Sequence, residues 1–278
     1  AEAGGGGADA RSDAGGDTPF AITHHTTTSG GETFDYTVTT GRMSLPDYGG
    51  EPRADIFFVA YTRDIGEDAD IGRRPITFAY NGGPGSSSVW LHLGALAPKR
   101  VDMGPEGFPP KPPYRLLDNE HGWLDFTDLV FIDPVGTGYS RPAEGESKSQ
   151  FHGLDEDISS VGDFIRLWTT QNKRWRSPKF LAGESYGTTR NAGMAQYLQN
   201  SHGMFLSGIV MISAVLDFQT VRFNEGNDSP YWLFLPTYAA TAWYHNALEP
   251  ELQNMPLREF LDEVEAFAGT DYLVALGK

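Results

Sequence analysis

Residues 179–198 read KFLAGESYGTTRNAGMAQYL. Lys179–Ala182 is β-type, and Tyr186–Leu198 has the make-up of a helix. Between them Gly183-Glu184-Ser185-Tyr186-Gly187 fits the pattern G-x-S-x-G. That pattern has a mechanical basis. A serine on a tight strand-to-helix turn projects its hydroxyl above the sheet, and the flanking glycines let neighbouring backbone approach without a Cβ clash. The helix N-terminus behind it favours developing negative charge. The five-residue match is weak alone, since chance supplies on the order of 0.2 per chain of this composition. The strand before it and the helix after it supply the required setting. The competing reading is an ordinary turn whose serine only caps the helix.

The same rhythm recurs outward from this point. Phe34, Tyr36 and Val38 alternate with polar residues, and Asp55–Tyr61 is a second β-rich run. Pro75–Tyr80 is a short apolar strand that leads into Asn81-Gly82-Gly83-Pro84-Gly85-Ser86-Ser87-Ser88. Leu129–Ile132 is another, ending at Asp133-Pro134-Val135-Gly136-Thr137-Gly138-Tyr139-Ser140. Asp155–Trp168 places Ile158, Val161, Phe164, Ile165 and Trp168 on one helical face, with three acids at its start. Ile209–Ser213 is a further strand. This alternation predicts an α/β fold with a mostly parallel sheet and helices on both faces. Residues 1–19 are small, polar and glycine-rich and are expected to form a disordered leader. Residues 20–220 carry the strand–helix alternation. Residues 221–278, crowded with aromatics over Tyr231–Tyr244 and helically spaced over Leu257–Leu276, are expected to form a helical cap or the start of an insertion.

Composition excludes several chemistries. The chain has no cysteine, so disulfides, thiol catalysis and zinc-thiolate sites are ruled out. A net charge of −16 over 278 residues would repel nucleic acid and anionic lipid. No run reaches the ~18 apolar residues of a membrane span. No cofactor or metal is expected: His24-His25, expected in the leader or first turn, has no acidic cluster nearby, and Asp64–Asp70 lacks the spacing of a calcium loop. The start at Ala1 without Met suggests upstream processing, and with the leader it suggests a secreted or periplasmic protein.

The three glycine-bearing blocks, in this order, resemble those of the serine carboxypeptidases: the loop N-G-G-P-G-C-S-S, the segment D-x-P-x-G-x-G-[FY]-S and the elbow G-E-S-Y. The likeness runs from about Phe34 to Asp217 and, with its bacterial cast, implies the N-terminal part of an α/β-hydrolase. It implies that Ser185 is the nucleophile and that Gly83 and Tyr186 donate backbone N–H groups to the oxyanion. It also implies that Asn81 and Glu184 bind the free terminal carboxylate of a peptide, which makes the activity that of an exopeptidase. Two carboxylates meeting there require a shared proton. The chain departs from the pattern at Ala79, where the family has Trp, at Ser86 for Cys, and near Ala95 for a substrate-binding Glu.

A serine of this kind needs a histidine base and an orienting acid, which in this fold follow it in the order acid, then His. Only His202 and His245 come after Ser185. His202 sits in a turn too close to the elbow, and His245 lies in the aromatic segment. Asp217 ends a strand at a place where the family has a non-catalytic polar turn. The triad acid and base are therefore expected beyond Lys278, and the rest of the same enzyme is an expected partner. Two other readings stay open: an esterase or acyltransferase using the same serine, and a binding protein that keeps only the hydrolase shell.

Overall fold

The computed structural model describes residues 9–13, 16–66, 69–104 and 107–278, with side chains from Phe20 onward in those ranges. The strands are β1 Asp9–Asp13, β2 Gly16–Ser29, β3 Glu32–Pro46, β4 Pro52–Arg63, β5 Ile76–Tyr80, β6 Lys99–Val101, β7 Leu116–Asp118, β8 Asp128–Ile132, β9 Arg141–Pro142, β10 Lys179–Glu184 and β11 Gly208–Ile212. The main helices are α1 Leu154–Gln171, α2 Tyr186–His202, α3 Ser229–Tyr244 and α4 Leu257–Phe267. The chain divides into two compact units, Ala1–Ala214 and Val215–Lys278.

In the first unit the sheet order is β1-β2-β3-β4-β8-β5-β10-β11, with β9 beside β4. The four strands β8, β5, β10 and β11 run parallel, and the N-terminal wing β1–β4 is antiparallel. Every residue of β5 and β8 is buried, as expected for parallel strands covered on both faces. The period-two pleat sorts their side chains into two cores. Ile76, Phe78, Tyr80, Val130, Ile132 and Leu181 pack with Ile158, Val161, Ile165 and Trp168 of α1 and Met194 and Leu198 of α2. Ala79, Leu129, Phe131 and Ala182 face the other way, against Tyr36, Tyr61, Leu91, Leu96 and Leu124. That second face is covered by short helical turns, Val89–Leu96 and Trp123–Asp125, in place of long helices.

Two expectations from sequence change here. Of the expected leader, residues 1–8, 14 and 15 lie outside the described residues. Asp9–Asp13 instead pairs antiparallel with β2 (Asp9 opposite Ile22), so backbone hydrogen bonding draws in a segment with little apolar content. His24 and His25 fall in mid-strand and not in a first turn, paired with Thr37 and Tyr36 of β3.

The starting ends of the parallel strands are tied by one carboxylate. Asp128, fully buried at the start of β8, accepts from Arg74 Nε at 2.7 Å and Arg174 Nη1 at 2.6 Å, while the Arg63 amide donates to it at 3.1 Å. Arg174 Nη2 also donates to the Arg74 carbonyl at 2.9 Å. In the second unit α4 packs against α3. The Trp243 indole donates to the Met255 carbonyl at 3.1 Å, and Gln253 Nε2 returns to the Trp243 carbonyl at 2.9 Å.

Removing one member of such a buried ionic cluster leaves the others desolvated and unpaired. Asp128→Ala should lower the unfolding free energy by about 3–5 kcal/mol, read by urea or guanidinium denaturation. A loss below about 1 kcal/mol, the size of an exposed pair, would show that Asp128 does not hold the strand ends together.

Candidate active site

The carboxyl ends of β5 and β10 lie side by side, with Tyr80 opposite Gly183. Each opens into one of the motifs. After β10 the chain turns at Ser185, whose φ of 57° and ψ of −124° are rare for a residue with a side chain. The Ser185 amide donates to the Ile212 carbonyl at 2.9 Å and its carbonyl accepts from the Thr188 amide at 2.9 Å, so both sides of the turn are fixed. Its hydroxyl makes no capping bond to α2, although Ser185 occupies the N-cap position. The reading of Ser185 as an ordinary helix cap therefore fails: the strained backbone is held, and the hydroxyl is not used to hold it.

The loop after β5 lies directly against this turn. A Cβ on Gly82 would meet the Tyr186 amide nitrogen, the Glu184 carbonyl oxygen at 2.6 Å and the Gly187 amide nitrogen at 2.7 Å. Only a bare backbone fits there. Gly183 is equally constrained, with the Gly187 carbonyl and Asn191 Nδ2 where its Cβ would be. Gly83 follows with φ +105° and is exposed. Thus the Gly82 backbone lies against that of Glu184–Gly187.

Asn81 and Glu184 also meet. Asn81 is 1% exposed, and its Nδ2 donates to Glu184 Oε2 at 3.0 Å while its Oδ1 accepts from the Leu91 amide at 3.0 Å. The side chain that sequence reading assigned to substrate is thereby fixed on both ends and orients Glu184. Ala79, the first of the departures from the family pattern, is fully buried in the second core. Ala95 is exposed, in the helical turn that ends at Leu96.

The third block contributes architecture that its motif alone does not explain. Asp133 Oδ1 accepts from the Ser88 amide at 2.9 Å and Oδ2 from the Tyr139 amide at 3.3 Å, so one carboxylate joins the β5 loop to the β8 loop. Ser140 Oγ donates to the Asp133 carbonyl at 2.6 Å and accepts from the Phe57 amide at 2.7 Å. Burial raises the Asp133 carboxyl above its ordinary range, and the two backbone donors pull the other way. A cavity of about 230 Å³ opens between the loops, lined among others by Gly85, Val135, Thr137, His152, Tyr186 and Arg190.

Beneath the loop, Arg190 and Asp157 form a buried pair that sequence reading missed. Arg190 Nε and Nη2 donate to the two oxygens of Asp157 at 2.8 and 3.2 Å, and Nη1 donates to the Asn81 carbonyl at 2.9 Å. Asp157 had been read only as one of three acids suited to a helix start. Burial, then the Asp157 charge, pushes the Tyr186 hydroxyl up to about 12. On the other core face, His92 Nε2 and the Tyr61 hydroxyl are 2.7 Å apart, and the imidazole stacks on Phe131 with centroids 4.5 Å apart.

The histidines after the elbow are elsewhere. His202 is the last residue of α2, not part of a turn, and its Nε2 meets Asp163 Oδ1 at 2.9 Å. With a rise of 1.5 Å per residue it stands about 24 Å along the helix from Tyr186. In the second unit Asp217 caps a short turn through the Gln219 amide at 2.9 Å, five residues beyond the end of β11, and His245 follows α3 with its ring against Tyr244. Among the described residues no group of three His, Asp or Glu could hold a metal.

A serine elbow at the carboxyl end of a parallel strand, faced by a glycine loop from the neighbouring strand, defines an α/β-hydrolase fold. The comparisons narrow this to a family. The family profile "Serine carboxypeptidase" matches residues 47–241, and the chain belongs to that family. It is 30% identical over 155 residues to serine carboxypeptidase-like 45 of Arabidopsis thaliana, covering 53% of this chain and 31% of that protein. It is 34% identical over 108 residues to pheromone-processing carboxypeptidase kex1 of Talaromyces marneffei, covering 38% and 15% respectively. The crystal structure of a prohormone-processing carboxypeptidase, Kex1, from Saccharomyces cerevisiae shares its fold, with a TM-score of 0.54 at 21% identity over 84% of this chain and 53% of that one. The chain thus spans about a third or less of these curated relatives and about half of that structure.

Burial lowers the His92 imidazole from 6.5 to about 4. In that interval the unfolded chain binds the proton and the folded chain does not, so stability is present above pH ~6.5 and lost as pH falls towards 4. Denaturation curves at pH 7 and 4.5 should show a smaller acid loss for His92→Gln than for the wild type. Equal losses would place the acid sensitivity in other groups.

Proposed function

We propose that the protein is a serine-type carboxypeptidase in which Ser185 attacks the carbonyl carbon of the last peptide bond. The observation that carries this reading is the Ser185 turn itself, strained, bonded through its backbone on both sides, and packed against Gly82 with its hydroxyl free of capping. In the first step the Ser185 Oγ–C bond forms, the carbonyl π pair moves to oxygen, and the hydroxyl proton passes to a base. Gly83 and Tyr186 offer backbone N–H groups to that oxygen. Collapse breaks the C–N bond as the base returns that proton to the leaving nitrogen, releasing the terminal amino acid. Water then adds to the acyl-Ser185, giving its proton to the base, and cleavage of the acyl–Oγ bond frees the shortened peptide acid while the proton returns to Ser185 Oγ. Base and orienting acid are not drawn from His202 or Asp217, whose hydrogen bonds are local to a helix end and a turn.

Asn81 and Glu184 receive the substrate's terminal carboxylate in this proposal, through a proton shared between it and Glu184. Peptides with a free C-terminus are then the substrates. Ala95 supports a second reading, because it offers no polar group where relatives place a carboxylate: ester hydrolysis or acyl transfer through the same Ser185. Relatives named for processing pheromones and prohormones support an exported setting, and no described helix is long and apolar enough to cross a membrane.

Two measurements on the complete protein test the proposal. A fluorophosphonate probe should label Ser185, and labelling that persists unchanged in Ser185→Ala would remove the nucleophile. Secondly, KM for free-acid peptides should rise from pH 4 to 8 as the shared proton is lost, amidated peptides should lack that dependence, and Glu184→Gln should flatten it. A KM without pH dependence on free-acid peptides would favour the ester or transfer reading.

A further inference from the structure

We propose that Arg190, held by Asp157, is a positioning residue that sets the spacing between the two backbone segments of the oxyanion site. This rests on the serine-hydrolase reading of Ser185 and adds a residue that neither the motifs nor the general mechanism requires. The two proposed donors come from segments far apart in the chain, the loop at Gly83 and the elbow at Tyr186. An oxyanion site acts only if both amides are already aimed where charge develops. Something must therefore fix one segment against the other.

Arg190 is placed to do so. It is 1% exposed and sits one helical turn after Tyr186. Its Nη1 donates to the Asn81 carbonyl at 2.9 Å, immediately before Gly82-Gly83. Its guanidinium lies over the rings of both Tyr80 and Tyr186, at 4.9 and 5.2 Å from their centroids. Asp157, 7% exposed in the first turn of α1, grips the remaining edge of the fork through both oxygens and also accepts a hydrogen bond from the Tyr186 side chain. One planar cation thus touches the residue before the loop and stacks on the residue after the nucleophile, and its counter-ion binds that same tyrosine. Charge is balanced within the pair, so the role is one of distance and not of field. An apolar cluster of equal volume would avoid the desolvation cost of the pair, but it would supply no donor to the Asn81 carbonyl and no fixed angle between the segments.

The decisive variant is Arg190→Lys, which keeps the charge but loses the planar fork that reaches Asp157 and Asn81 together. Asp157→Asn, nearly isosteric, is the second variant and loosens the fork from its other side. In the complete protein, active sites are titrated with a fluorophosphonate so that rates are expressed per competent Ser185, and thermal unfolding is followed in parallel. A misplaced oxyanion donor should lower kcat by about 10²-fold with KM within about threefold, because the contact is strongest in the transition state. Affinity for a peptide boronate, whose tetrahedral adduct uses the same donors, should fall in parallel with kcat. The proposal is overturned if a folded variant keeps kcat per titrated site and boronate affinity within threefold of wild type, with only the melting temperature lowered. Absence of Ser185 labelling in the wild type would instead overturn the underlying hydrolase reading, so the two failures are distinct.

Discussion

The backbone of Gly82 rests on the backbone of the elbow with no side chain between them, and the arrangement of the site depends on this contact. It exists because β5 and β10 are parallel neighbours in register, Tyr80 beside Gly183, so both chains leave the sheet at the same height. From there each can only reach the other if the intervening positions lack Cβ atoms. The surrounding polar groups then lock what the glycines permit: Asn81 fixes Glu184, Asp133 joins the Ser88 and Tyr139 amides, and Arg190 reaches under the loop to the Asn81 carbonyl. Strain at Ser185 persists because these supports over-determine the turn.

The sheet is anchored at its two ends by different means. At the starting ends of the parallel strands, the fully buried Asp128 gathers two arginines into a charged knot. At the carboxyl ends the fastening is mostly amide to carboxylate or carbonyl, which is compatible with loops that must present backbone donors outward. The division fits the general rule for open α/β sheets that ligands bind outside the carboxyl ends of the strands.

Much of this was legible in the sequence where the signal is local. β5 and β8 announce themselves as short apolar runs, β10 and α2 by composition, α1 by helical periodicity, and the elbow by glycines two residues either side of a serine. The supports were not legible, since their partners lie far along the chain: Asp157 and Arg190 are 33 residues apart, Ser88 and Asp133 are 45 apart, and Asn81 and Arg190 are 109 apart. An aspartate in a first helical turn satisfies the dipole whether or not an arginine lies behind it, so Asp157 carried no mark of its second role. The Asp133–Ser140 block was visible only as a likeness, because a turn that binds amides through a carboxylate has no periodicity to read. β1, with the sequence DARSD, and the Thr-rich His24-His25 stretch of β2 were missed because neither carries an apolar alternation.

The pleat of β5 has a consequence for how this protein tolerates change. Phe78 and Tyr80 belong to one core and Ala79 to the other, so adjacent positions in the chain share no packing partners. Substitutions combine almost independently only where sites are both distant, by about 7–10 Å or more, and without shared partners. The helix-covered core and the core under the short helical turns therefore communicate through the shared strand backbone and not through common side-chain contacts. The residues where β5 ends, Tyr80 and Asn81, are bound instead to the elbow helix through Asn191 and Arg190.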